Sequence, residues 1–203
     1  VRTTVIFAGP PDEDIDWADV SPASTLKFLQ RAWRVAAEVT SDPDADLTQG
    51  DSTLRRVTHR SIADITELLE GGRYNVVVAR IMELVNATRK AIDSGCGPAD
   101  PAVREAVTFT AQALSLVAPY LAEEMWEMLG LEPSVANSHW PTADEKLLVA
   151  DKVTMVVQVT GKVRAKLLVS PEITEAEACE GALADANVQR FTEGKEIVKI
   201  IAK

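Results

Sequence analysis

Apolar residues recur every three to four positions through most of residues 26–130, then every second position from about residue 155. The period thus changes from that of a helix to that of a strand. Leu26, Leu29, Trp33 and Ala36 predict a first amphipathic helix, ended by Asp42, Pro43, Asp44, Asp46 and Gly50. A second runs from about Leu54 to Leu69, with Leu54, Val57, Ile65, Leu68 and Leu69 on one side and Gly71-Gly72 as its stop. A third spans about Asn75 to Ile92 with the stripe Val78, Ile81, Met82, Val85 and Ile92, closed by Gly95, Gly97 and Pro98. Asp100 caps a fourth, with Pro101 at its first position, where a missing N–H costs little. That helix carries Val103, Val107, Leu114, Val117, Leu121, Met125 and Trp126 to Gly130, and Pro119 within it predicts a kink. Residues 1–24, with Pro10, Pro11, Pro22 and several acids, read as an irregular lead-in anchored by Trp17. Four amphipathic helices with short breaks predict an up-and-down bundle.

Beyond the bundle, residues 155–160 and 163–169 alternate around Thr160-Gly161 and predict a β-hairpin. Thr174 and Glu177 have the spacing of a capping box, which predicts a short helix to about Ala186. Glu196 to Ala202 reads as a further strand. The fold class is therefore mainly α: a helical bundle over residues 1–150, then a small α+β module over 151–203. The chain begins at Val1 and ends at Lys203 inside an apolar run, so both ends read as cuts and the chain as part of something longer.

Composition adds mainly exclusions. The 203 residues are 46% hydrophobic and 26% charged, an ordinary globular balance. No stretch approaches the roughly 18 apolar residues of a membrane span, and no basic-then-apolar leader opens the chain. Cys96, Cys179, His59 and His139 stand far apart, with no metal-ligand spacing, and two cysteines fit a reducing, cytoplasmic setting. Phosphate-cradling glycine loops and a nucleophile elbow are absent from the sequence. His59 reads as a surface or capping residue, His139-Trp140 as a packed turn, and Glu123, Glu124 and Glu127 as a solvated face. An unrecognised small hydrolase has no motif behind it.

Net charge is −10, which on its own argues against nucleic acid. Its distribution narrows that argument. Residues 1–51 hold ten acids and four bases, residues 52–153 fourteen and ten, and residues 154–203 seven and seven. The neutral C-terminal module carries Lys162, Arg164 and Lys166, which strict alternation places on one strand face at about 7 Å spacing. Such a row is tolerated in solvent or beside an anion, of which a phosphate backbone is one. Arg31 and Arg34 on the first helix, and Arg55, Arg56 and Arg60 on the second, form smaller basic groups that equally fit solvated faces.

Several stretches resemble a known family. Phe7-Ala-Gly-Pro-Pro11, Phe28-Leu-Gln-Arg-Ala-Trp33, the helix from Asn75 to Asn86, Pro119 with Glu123 and Trp126, Trp140-Pro-Thr-Ala-Asp144 and Val156–Lys166 resemble, in order, the C-terminal part of bacterial leucyl-tRNA synthetases. The hairpin stretch is similar to that family's V-Q-V-N-G-K-V-R-A-K signature, with Thr160 in place of the Asn. The resemblance implies the anticodon-binding bundle and terminal domain of a class I leucine–tRNA ligase. The parent enzyme would use ATP and Mg²⁺; this stretch lacks the catalytic signatures, should be inactive alone, and needs no cofactor. The implied partners are tRNA(Leu) and the rest of the synthetase chain, in a cytoplasmic monomer without membrane contact. The implied RNA contacts are Lys162, Arg164 and Lys166, then Arg31, Arg34, Arg55 and Arg56, through backbone electrostatics. The alternative is a helical protein-interaction scaffold with no RNA role.

Overall fold

The computed structural model describes residues 1–17, 20–149, 153–169, 173–192 and 200. It divides into two compact units, Val1–Leu148 and Val149–Lys203. The first contains helices α1 (Arg2–Ala8), α2 (Pro22–Glu38), α3 (Ser52–Glu70), α4 (Tyr74–Ala91), α5 (Pro101–Ser115), α6 (Pro119–Met128) and the single turn α7 (Glu145–Leu148). The second contains β1 (Val153–Val159), β2 (Lys162–Val169), α8 (Glu175–Ala184) and α9 (Ala186–Thr192). The molecule is mainly α, a helical bundle followed by a small α+β module.

α5 is the centre of the bundle. Ala102, Val103, Ala106, Val107, Phe109, Ala111, Ala113 and Leu114 are all buried, and so are Arg104, Thr110 and Gln112, so the helix is enclosed nearly all round. Its alanines let neighbours approach closely. Ile65 of α3, Val78, Ile81 and Leu84 of α4, and Met125 of α6 complete the core around it. The loop entering α3 presses on the start of α5: a Cβ on Gly50 would lie 2.2 Å from the Ala102 nitrogen. Asp51 caps α3 by accepting the Leu54 N–H at 2.7 Å. The Asp100 carboxylate accepts both Ala102 N–H, at 2.7 Å, and Asp51 N–H, at 3.1 Å, tying two helix starts together.

Several elements differ from the sequence expectation. The lead-in is not irregular throughout, since residues 2–8 form α1, which packs on α4 and α2 with Thr3 and Thr4 buried. Thr3 Oγ1 donates to the Val117 carbonyl at 3.1 Å. A segment this short and β-branched is helical through its tertiary contacts rather than its propensity. Trp17 is not an anchor; it is 62% exposed. On α2 the buried stripe is Thr25, Phe28, Ala32, Val35 and Ala36, while Leu26 and Trp33 face outward, so the stripe is rotated by about one residue. On α3, Val57 is exposed where the stripe placed it inside. Pro119 does more than kink the fourth helix: α5 ends at Ser115 and Pro119 opens α6 at its first position.

In the second unit Thr160 and Gly161 both have positive φ, 52° and 77°, the signature of a type I′ turn. Thr160 thus takes the left-handed conformation that Asn accepts at lower cost. β1 and β2 pair antiparallel, and Ala165, Ala178 and Val188 are buried between the hairpin and the helices α8 and α9. The capping box forms as its spacing predicts: Thr174 N–H donates to Glu177 Oε2 at 3.0 Å, and Glu177 N–H to Thr174 Oγ1 at 3.4 Å. The strand expected at residues 196–202 falls almost wholly outside the described residues.

Candidate nucleic-acid interface

The cations of the hairpin do not form one row. The register pairs Val157 with Ala165 but Gln158 with Val163, so Arg164 is an extra residue, a β-bulge. Lys166 lies opposite Val156 and Lys162 opposite Val159. Because Val156 and Val159 are three residues apart, the two lysines point to opposite faces. Both are exposed. Arg164 is half-buried instead, its guanidinium carbon 3.7 Å from the centroid of the Phe191 ring of α9. Its Nε is buried without a hydrogen-bond partner among the described residues. Strict alternation cannot register an inserted residue, and that is why the pattern misplaced it.

The two arginine groups of the bundle diverge as well. On α3, Arg55 Nε is 3.0 Å and its Nη2 3.4 Å from the Glu105 carboxylate of α5, so Arg55 is a packed structural cation. Arg56 is half-buried and engaged with other groups. Arg60 donates to the Leu148 carbonyl at 2.7 Å. On α2, by contrast, Arg31 and Arg34 are exposed and stand outside every ion pair among the described residues. They line an open depression with Ser24, Lys27 and Gln30. Lys27 belongs with them, and the signal for it is in the sequence: positions 27, 31 and 34 have the i, i+4, i+7 spacing of one helix face.

Other candidate groups are structural. His59 is buried, not a surface residue: its Nδ1 accepts the Asp144 N–H at 2.9 Å, and its Nε2 lies 3.1 Å from Glu105. Glu123 is no solvated acid. It accepts from Ser134 Oγ at 2.6 Å and Val135 N–H at 3.1 Å, and the Ser134 hydroxyl, then the Val135 amide, hold its carboxyl below the usual carboxylate range. Trp140 packs edge-on against Phe109, with centroids 5.5 Å apart, and donates to Thr66 Oγ1 at 2.8 Å. The turn before it is fixed by Gln112, whose amide donates to the Ser138 hydroxyl and the His139 carbonyl, each at 3.0 Å. Burial, with Asp100 and Asp51 nearby, pushes the Cys96 thiol up to about 11, where it is no nucleophile at neutral pH. Among the described residues no group of three or more His, Cys, Asp or Glu could hold a metal ion, and no helix is long and apolar enough to cross a membrane.

The geometry therefore offers exposed, unpaired cations and no assembled catalytic cluster among the described residues. Residues 51–179 match the family described as the anticodon-binding domain of tRNA ligase. Along all 203 residues the chain is 59% identical to a leucine–tRNA ligase of Nocardioides sp., and over 205 aligned positions 60% identical to that of Arthrobacter sp.. It covers 24% of each. The leucine–tRNA ligase of Tropheryma whipplei is 39% identical over 201 residues. The chain thus spans about a quarter of the length of the curated relatives it matches. Its fold is also that of a stretch of LeuRS from Agrobacterium radiobacter K84 agnB2, solved in a ternary complex with tRNA and LeuAMS. The TM-score is 0.76 at 21% identity, over 98% of this chain and 26% of the other. This chain belongs to the family of anticodon-binding domains of tRNA ligases.

Proposed function

We propose that this chain is the tRNA-binding C-terminal region of a cytoplasmic leucine–tRNA ligase, holding tRNA(Leu) for chemistry done elsewhere in the enzyme. The observation that carries the reading is the unbroken 59% identity of all 203 residues to a protein of that name. ATP and Mg²⁺ belong on this reading to the rest of the enzyme, and no residue of this chain is assigned to either.

The RNA contacts are phosphate contacts, because exposed point cations without positioned hydrogen-bonding neighbours recognise charge rather than base identity. Lys27, Arg31 and Arg34 supply them on α2, and Lys162 and Lys166 on the hairpin. Arg55 is left out because Glu105 holds it, and Arg164 because it lies on Phe191. Binding of a tRNA(Leu) transcript, followed by mobility shift from low to moderate salt, tests this. Changing Lys27, Arg31 and Arg34 together to Ala should weaken binding and lower the slope of log K against log salt by about 2. An unchanged slope removes α2 from the interface. Failure of the unaltered chain to retard tRNA at any salt favours a protein-interaction scaffold and overturns the reading as a whole.

A further inference from the structure

We propose that His59 is a proton-controlled clasp that holds the segment 140–148 against the bundle only while its ring is neutral. The ring is buried at 8% exposure and has a partner on each nitrogen. Asp144 N–H is a donor, so the Nδ1 it reaches at 2.9 Å has a free lone pair. The ring proton therefore sits on Nε2, donated to Glu105 Oε1 at 3.1 Å. That is one neutral tautomer, fixed from both sides. A second proton has only Nδ1 to occupy. There it faces the amide hydrogen of Asp144, and an attractive contact becomes two donors pointed at each other.

The contact matters because α7 is held to α3 near both of its ends. Asp144 stands just before it, its carboxylate accepting Lys146 N–H at 2.9 Å. Leu148, its last residue, accepts from Arg60 of α3 at 2.7 Å. Upstream, Trp140 is fixed on Thr66 and Phe109. Loss of the His59 contact leaves the turn before α7 without a side-chain hydrogen bond at Asp144 N–H, held by the anchors at Trp140 and Leu148 and by the packing of Ala143 on the core.

The charged groups around the ring come from every side. Arg55 lies one turn back on α3 and opposes a second charge, while Glu105 from α5 favours it and is already shared with Arg55 at 3.0 Å. Asp144 comes from the segment itself. The nearest charged pair toward α4, Asp64 with Arg80 at 3.9 Å, lies more than a turn further along α3.

Ring ¹⁵N spectra and amide hydrogen exchange on the 203-residue chain test the clasp. From alkaline toward acid pH, the His59 ring should pass from the Nε2–H tautomer to the cation. Over the same range, after correction for intrinsic exchange, protection of the Asp144 amide should fall by about tenfold. His139, whose backbone carbonyl accepts from Gln112 and whose ring has no hydrogen bond among the described residues, serves as the internal reference. His59→Asn, whose Oδ1 takes the place of Nδ1 and does not titrate, should abolish the step in Asp144. An Asp144 amide indifferent to the ring's charge overturns the clasp, as does a ring that stays neutral until the bundle unfolds.

Discussion

Helices α2 and α3 carry arginine groups that look alike in the sequence and behave oppositely in the structure. On α3 the cations are used internally: Arg55 by Glu105, Arg60 by the Leu148 carbonyl. On α2 the cations Lys27, Arg31 and Arg34 face solvent together. The difference lies in what stands opposite. α3 packs against α5, α4 and α7, which bring a carboxylate and an uncapped carbonyl within reach. The outer side of α2 has no such neighbour among the described residues. Charge on a helix signals a partner outside the bundle only where the bundle supplies none itself.

The sharpest way to break this contrast is to remove an internal acceptor. The side chains of Arg55, His59 and Glu105 are only 13%, 10% and 13% exposed. Glu105→Ala strands a guanidinium and an imidazole N–H in a place water scarcely reaches, and should cost about 3 kcal/mol in chemical denaturation. Adding Arg55→Ala to it should recover part of that loss, because the orphaned cation is gone. A loss under about 0.5 kcal/mol for Glu105→Ala would mean that α3's arginines are as free as those of α2.

Acids divide in the same way on α6. Glu124 and Glu127 are exposed, while Glu123 gathers the Ser134 hydroxyl and the Val135 amide. Its carboxyl is held below the ordinary range in the folded chain, chiefly by Ser134. A depressed folded value stabilises the fold above the unfolded-state pKa, and the gain is lost as pH falls through the lowered value. Thermal unfolding from pH 6 down to pH 3 should therefore show a loss of Tm that Glu123→Gln reduces and Glu124→Gln leaves alone. Equal curves for the two variants would place Glu123 back among the solvated acids.

What was legible in the sequence follows the range of the interaction. The helices, the capping box and the hairpin depend on neighbours a few residues apart, and the pattern placed them: Leu54 and Ile65 on α3, and Val78, Ile81 and Val85 on α4, are buried as their spacing implied. α1 was missed because its stability comes from Val117 and α4, more than sixty positions away. The roles of Arg55 and His59 were missed for the same reason, since Glu105 and Asp144 lie 50 and 85 positions further along. Arg164 was misplaced by a single inserted residue, which reverses every later face assignment. The family resemblance identified the family and the fold, but it named neither α1 nor these distant pairings, because a motif match does not state which side chains meet.

The smallest expected effect is the most informative about α2. Lys27 and Arg31 are four residues apart on one exposed face, where like charges repel by a few tenths of a kcal/mol. Alanine is also the best helix former at such positions. Changing Lys27, Arg31 and Arg34 together to Ala should therefore leave unfolding free energy within about 0.5 kcal/mol of the parent, if anything on the stable side. On the proposed reading these cations serve a ligand rather than the fold, so the same triple variant should bind tRNA more weakly while its stability is unchanged. A loss above about 1 kcal/mol would show that the α2 cations have partners in the bundle after all and would remove the distinction from α3.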